Sequence, residues 1–236
     1  MRADKLLSHL GYGSRKDVKR LLKEGALVAN GLTVKDGKVK VDPDKDELML
    51  YGEPVEYREF IYIMLHKPAG TVSATEDTRD QTVIDLLGPD EVLFEPFPVG
   101  RLDKDTTGLL LLTNDGKLGH RLTSPKHKVD KEYRVHSKLP LTENDVEVLE
   151  SGVKLDDGYE TKPAKVRFEG EKRDVFWLTI QEGKFHQVKR MLEAVDNKVT
   201  ALKRERHGSL LLDETLKPGQ YRELTEEELQ LLMDAD

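Results

Sequence analysis

An α+β fold in two domains is what this sequence predicts, a small basic module ahead of a larger domain built on strands. Three observations carry that expectation. A chain of 236 residues allows one large or two modest domains, each able to bury a core. The polar, proline-marked stretch Asp42-Pro43-Asp44-Lys45-Asp46 interrupts the pattern, and after a short strand around Leu48 to Tyr51 the run Gly52-Glu53-Pro54 places a boundary near 55–60. Finally, the four successive leucines Leu109 to Leu112 cannot show alternate faces to water and core, so they read as a strand buried on both sides. The expected division is 1–56, including a linker, and 57–236.

Taken in order, Ser14 is a helix N-cap, Asp17 complements the helix dipole, and Val18, Leu21 and Leu22 form an apolar stripe that Gly25 ends. Arg15, Lys16, Lys19, Arg20 and Lys23 are left facing outward. Ala26 to Ala29, Asn30-Gly31 and Leu32-Thr33-Val34 read as a hairpin with a type I′ turn. Phe60 to Pro68 is a buried strand that opens the second domain, and Thr71 to Gln81, rich in charge and threonine, is expected as a mobile surface loop. Asp115 caps a short helix stopped by Pro125, Lys131 to His136 alternates as a strand, and Thr142 caps a helix over 141–149. Strands follow at 162–168 and 175–181. A turn at Gly183 leads to a helix with Val188, Met191, Leu192 and Val195 on its core face. A strand over 199–206, an apolar closing segment at 208–212 and a last helix capped by Thr225 complete the chain.

The net charge of -7 argues against a wholesale nucleic-acid coat, but the charge is unevenly spread. Residues 1–42 hold ten Lys/Arg against five Asp/Glu, a net of +5, which leaves -12 for residues 43–236. Within that acidic part, 184–207 reverses sign with seven Lys/Arg against three acids. These two segments are the candidate polyanion contacts. With no cysteine in the chain, disulfides, thiolate catalysis and thiolate zinc sites are excluded, and the seven histidines lack the paired spacing of a dedicated metal site. No apolar run approaches bilayer-spanning length and no apolar signal segment follows Met1, so a cytoplasmic protein is expected.

The chemistry is expected in the loop Gly100-Arg101-Leu102-Asp103-Lys104-Asp105-Thr106-Thr107-Gly108, which feeds straight into the leucine strand. A rigid strand fixes the geometry of such a loop while leaving it reachable. Asp103 is the candidate acid. Asp103, Asp105 and Gly108 match three positions of an EF-hand calcium loop, but the match fails at Asn114, where a bidentate Glu is required, and Phe97-Pro98-Val99 cannot supply the entering helix.

The run Gly-Arg-Leu-Asp-x-x-Thr-x-Gly-Leu-Leu-Leu-Leu-Thr-Asn-Asp-Gly at 100–116 closely resembles the catalytic motif of the RNA pseudouridine synthases, in the RsuA-type branch, which includes small-subunit ribosomal enzymes. The resemblance extends to Lys67-Pro68-Ala69-Gly70, to Lys131-Glu132-Tyr133-Arg134-Val135, and to Gly183-Lys184-Phe185-His186-Gln187-Val188-Lys189-Arg190-Met191. The front segment, with Ser14-Arg15-Lys16 and Gly25-Ala26-Leu27-Val28-Ala29-Asn30-Gly31, resembles an S4 RNA-binding domain of the αL type. The fold implied is that module followed by a synthase domain on a mostly antiparallel mixed sheet flanked by helices.

The implied reaction isomerises one uridine of structured ribosomal RNA to pseudouridine, breaking the N-glycosidic bond and rejoining the ribose through C5, with no cofactor or metal. The implied catalytic set is Asp103, Tyr133 and Lys189. Desolvation beside a buried strand would tend to protonate Asp103, and a cation at Lys189 opposes that. Arg101 matches the side chain that fills the gap left by the flipped uridine, Tyr133 can stack on the uracil or assist proton removal at C5, and Leu102, Thr107, Gly108, Gln187 and Arg190 are expected at the substrate. Arg15, Lys16, Lys19, Arg20 and Lys23 would then face RNA phosphates, which positions without specifying sequence. The implied partner is 16S ribosomal RNA or a small-subunit assembly intermediate, met by a monomer away from membranes. Two alternatives are the same chemistry on 23S ribosomal RNA and a non-catalytic S4-type ribosome-assembly factor.

Overall fold

The computed structural model describes residues 1–55, 57–168 and 170–234. The chain forms two compact units, Met1–Phe60 with Gly88–Glu95, and Ile61–Leu87 with Pro96–Asp236. The excursion at 88–95 is absent from a linear reading of the sequence. It joins the first unit through Leu93, packed against Gly11, and through Phe94, whose ring lies 5.5 Å beneath the Arg58 guanidinium.

The first unit contains α1 (Ala3–His9), α2 (Arg15–Glu24), β1 (Leu27–Ala29), β2 (Leu32–Thr33), β3 (Leu48–Leu50), β4 (Glu53–Pro54) and the single turn α3 (Pro89–Val92). Its four strands pair antiparallel in the order β2-β1-β3-β4. Ser14 and Asp17 cap α2 reciprocally, so two of the helix's orphan N–H groups are satisfied from the sequence immediately around them. Positive φ at Asn30 and Gly31 produces the primed turn between β1 and β2. Helix α1 lacked a sequence signal because it is only seven residues long; Ala3, Leu6 and Leu7 on one face join Val18, Leu22 and Leu27 in a closed core.

The second unit is organised on one nine-stranded mixed sheet. Its strands are β5 (Tyr62–Lys67), β6 (Phe97–Pro98), β7 (Thr107–Thr113), β8 (Lys131–Ser137), β9 (Lys165–Phe168), β10 (Val175–Ile180), β11 (Val199–His207), β12 (Leu210–Leu211) and β13 (Tyr221–Glu223). Their order is β13-β5-β7-β11-β8-β10-β9, with β6 beside β7 and β12 beside β11. Among the described residues every strand pair of this sheet is antiparallel except β7 with β11. The helices are α4 (Gly116–Thr123), α5 (Glu143–Ser151), α6 (Gln187–Glu193) and α7 (Glu226–Asp234). Leu109 to Leu112 are all at most 1 % exposed, as a strand between two sheet neighbours and covered on both faces must be.

Three expectations need correcting. Helix α6 stops at Glu193 rather than reaching Val195, because the chain turns at Asp196 with φ 54 and Asn197 then ties down Leu139. Strand β9 starts at Lys165, since the Lys162 N–H is taken by the Glu182 carboxylate. The 71–81 loop is anchored at its stem: Val72 pairs with Thr82, and the Ser73 hydroxyl both accepts from the Leu102 N–H and donates to the Leu102 carbonyl. Among the described residues no helix is long and apolar enough to cross a membrane.

His207 should make the second unit sensitive to acid. It is 2 % exposed, and burial, Arg204 and Lys131 hold its pKa well below the ordinary histidine value. Unfolded, the same imidazole takes up a proton below about pH 6.5, so the unfolded state binds more protons there and stability falls with pH. The parent should lose up to about 1.4 kcal/mol per pH unit from this group below pH 6.5, and His207→Gln should flatten that part of the slope. Urea titrations at pH 7, 6 and 5 measure it; identical slopes in the two proteins would contradict the assignment.

Candidate active site

Asp103 sits at the end of the loop that enters β7, and Lys189 projects from α6. The Lys189 Nζ lies 2.8 Å from Asp103 Oδ2. The same ammonium also lies 2.6 Å from Asp105 Oδ1, so one cation bridges two carboxylates. Asp103 is the sheltered member, with its side chain 25 % exposed against 73 % for Asp105. Burial pulls the Lys189 pKa down, but hydrogen bonds and charge from Asp103 and Asp105 outweigh it and hold it above the ordinary lysine value. Its hydrogen bond holds the Asp105 carboxyl below the usual carboxylate range. His186 completes the cluster, with Nε2 3.7 Å from Asp103 Oδ1.

The loop's shape comes from a residue that spacing alone did not single out. Lys67, the last residue of β5, is fully buried, and its Nζ donates to the carbonyls of Pro68, Lys104 and Thr106 at 3.0, 3.3 and 2.9 Å. Burial pushes its pKa down to about 8, which leaves it charged at neutral pH. Two of those carbonyls belong to the loop that carries Asp103, and the Lys104 carbonyl also accepts the Gly70 N–H at 2.7 Å. A buried cation thus serves as the scaffold on which the 103–106 backbone is folded. Lys67→Met should cost about 3–5 kcal/mol, since it strands buried carbonyls, and should lower kcat before it raises KM; a variant as stable as the parent in urea would refute this role.

Tyr133, in β8, is 7 % exposed and stands directly across from Arg204 in β11, whose other neighbour is Gly108 in β7. Arg101 is exposed and makes no side-chain hydrogen bond or ion pair among the described residues. The other residues expected at the substrate all make contacts within the protein. Gln187 is 4 % exposed, accepts the Lys184 N–H and donates to Glu182. Arg190 is paired with Asp156 and Asp157 at 2.5 and 2.7 Å. Leu102 is buried against Ser73, Thr107 bonds the Leu202 carbonyl, and Gly108 is packed on the Arg204 backbone. A sequence signal existed for Gln187, because 187, 188, 191 and 192 form one continuous buried stripe on α6. None existed for Arg190, whose partners lie more than thirty positions away in another loop.

In the first unit Arg15, Lys16, Lys19, Arg20 and Lys23 are exposed along α2. Arg15 and Lys19 line a groove of about 820 Å³ together with Arg2, Lys5, Lys35 and Lys38. Lys35 and Lys38 enter from the loop after β2, an approach only the folded chain creates. Asp4 and Asp36 also line this groove, and Arg2 is paired with Asp4 at 2.5 Å.

The structure thus places a sheltered carboxylate, held by a lysine, at the mouth of a central strand, in a chain whose first unit carries a basic helix–hairpin module. Residues 61–194 match the family described as RNA pseudouridylate synthase, and residues 1–47 match the S4 domain. The chain is 58% identical to YtzG of Bacillus subtilis, an uncharacterized RNA pseudouridine synthase, over 98% of both. It is 45% identical to ribosomal small subunit pseudouridine synthase A of Vibrio vulnificus over 97% of this chain and 98% of that one, and 38% identical to ribosomal large subunit pseudouridine synthase B of Bacillus subtilis over 98% and 95%. A crystal structure of a pseudouridylate synthase superposes with a TM-score of 0.69 at 37% identity, covering 98% of this chain and 99% of that one. The chain therefore belongs to the RNA pseudouridylate synthase family and is an isomerase acting on RNA.

Proposed function

We propose that this protein converts one uridine of small-subunit ribosomal RNA to pseudouridine in the cytoplasm, as a monomer and without a cofactor. The observation that carries the chemistry is the 2.8 Å contact between Lys189 and Asp103 at the end of the central strand. An ionised carboxylate is required, since only that form can attack the sugar or base, or take a proton. Lys189 keeps a positive charge beside it. The N1–C1′ glycosidic bond breaks, the base turns while held, and C5 bonds to the ribose C1′; C5 then loses its proton and N1 takes one up, so the atoms balance. Tyr133 offers a ring on which the extruded uracil stacks, and Arg101, without an ion pair among the described residues, fills the gap the uridine leaves in the RNA. Gln187 and Arg190 shape the turn that carries Lys189.

The small-subunit target is favoured by the 45% identity to the Vibrio enzyme against 38% to the large-subunit one. Mapping pseudouridines in ribosomal RNA from cells with and without the gene is the test. Loss of one site in 16S RNA is expected; loss confined to 23S RNA would move the target, and loss of none would end the reading.

The first unit supplies the attraction for RNA. Residues 1–42 carry +5 and the remainder -12, so RNA repels the larger part of the chain at long range and the groove around α2 must provide the encounter. Replacing Arg15, Lys16, Lys19 and Arg20 together by Glu should weaken binding of 16S fragments and flatten its salt dependence, by roughly one in the log–log slope for each phosphate that is no longer neutralised. Filter binding at several salt concentrations reads this directly. An unchanged slope would show that α2 touches no phosphate and leave 184–207 as the binding segment.

A further inference from the structure

Phe185 is the most exposed phenylalanine in the described chain, at 70 %, and yet it is held in place. Its ring stacks on the His186 imidazole with centroids 3.8 Å apart and 15° between the planes. Its carbonyl accepts from Arg190 Nη1 at 3.3 Å, and Arg190 is itself anchored on Asp156 and Asp157. His186 takes a left-handed conformation, φ 50, which costs a non-glycine residue on the order of 1 kcal/mol and persists only where the surroundings enforce it. An apolar ring is therefore kept in water at a real cost in free energy, by a backbone that is strained and clamped at the same point.

The inner ring of the stack reaches the active site. His186 Nε2 lies 3.7 Å from Asp103 Oδ1, so the imidazole on whose face Phe185 stacks touches the candidate catalytic carboxylate with its edge. An RNA strand that brings a uridine to Asp103 must carry the neighbouring nucleotide past this point. Every base has a π face, and stacking on an aromatic side chain is a sequence-tolerant way to hold it.

We propose that the Phe185–His186 stack is a nucleobase platform that takes the unpaired base next to the extruded uridine. This rests on the pseudouridylation reading above and adds a specificity to it. The platform accepts any base but not a paired one, so it selects a uridine whose neighbour is free to unstack and rejects one flanked by continuous duplex.

The test uses the full-length protein and a short synthetic RNA around the uridine mapped in ribosomal RNA, carrying either its natural base or an abasic nucleotide at the 5′ or 3′ neighbour. Phe185→Ala should lower kcat/KM about tenfold or more, the scale of one missing base stack, whereas Phe185→Tyr should stay within about twofold. In the parent, one of the two abasic positions should reproduce the Phe185→Ala loss. In Phe185→Ala, that same abasic RNA should lose little more, because the two changes remove the same stacking interaction. Unchanged urea midpoints would confirm that the variants are folded. An active parent with Phe185→Ala undiminished, or with losses that multiply, overturns the platform and leaves the catalytic assignment intact. A parent that modifies no ribosomal RNA overturns the underlying reading, and the platform with it.

Discussion

Asp103→Asn should abolish pseudouridine formation, lowering turnover by at least about 10⁴-fold, the scale seen when an enzyme loses a group that reacts covalently or takes the proton. The amide keeps the shape of the side chain and removes both its charge and its nucleophile. The fold should survive, because Lys189 does not become an unpaired buried cation: Asp105 remains 2.6 Å away. RNA binding should stay within about twofold of the parent. The bridging geometry makes Asp105→Asn the matched control. That carboxylate is 73 % exposed and pairs with the same lysine, so its removal should leave most of the activity in place. Single-turnover assays on a mapped ribosomal RNA fragment measure both. Turnover within tenfold of the parent in Asp103→Asn, or a larger loss in Asp105→Asn, would remove Asp103 from the central role.

Gly108→Ala should be the most damaging conservative change in the second unit. A Cβ there would lie 2.1 Å from the Arg204 carbonyl oxygen, 2.6 Å from its nitrogen and 2.9 Å from its carbonyl carbon, and φ is +106. All three are backbone atoms, so no rotamer change relieves the overlap. The parallel strand pair of the sheet, β7 with β11, would have to separate at the residue that joins the 100–108 loop to the core. A cost above about 4 kcal/mol is expected, a large share of the roughly 5–15 kcal/mol that holds a typical domain together. Gly116→Ala, at a glycine with nothing within 4 Å of the added carbon and at the first position of α4, should be neutral or slightly stabilising. Urea unfolding of the pair makes the comparison; a Gly108→Ala loss under about 1 kcal/mol would show that the sheet can open there at little cost.

The contrast between Asp103 and Arg190 shows what kind of information a linear sequence holds. Asp103 and Lys189 lie far apart in the chain, and each is embedded in a long, specific run of residues, so motif resemblance brought them together before any geometry was known. Arg190 is next to Lys189 and was expected at the RNA. Helical periodicity turns it by about 100°, and the loop at 156–157 captures it. Lys67 and Asp105, though both lie in quoted motifs, were given no part in the site for related reasons. A buried lysine reads in sequence like any strand-end lysine, and a second acid two positions from the first reads like surface charge.

The two-part architecture, the central leucine strand, the capped helix and primed turn of the first unit, and the pairing of Asp103 with Lys189 were all legible in the order of residues. They are written in short-range chemistry: side-chain periodicity, cap residues, turn residues and uninterrupted motifs. Folding in three dimensions was needed to settle that one ammonium bridges two carboxylates, that Lys67 holds the loop from beneath, that 88–95 packs with the first unit, and that the exposed Phe185 stacks on the histidine beside Asp103. Each of these depends on which distant backbone carbonyl, acid or ring a side chain meets once the strands have paired. Pairing across a sheet is set by the sum of many weak interactions, and no single stretch of residues carries that sum.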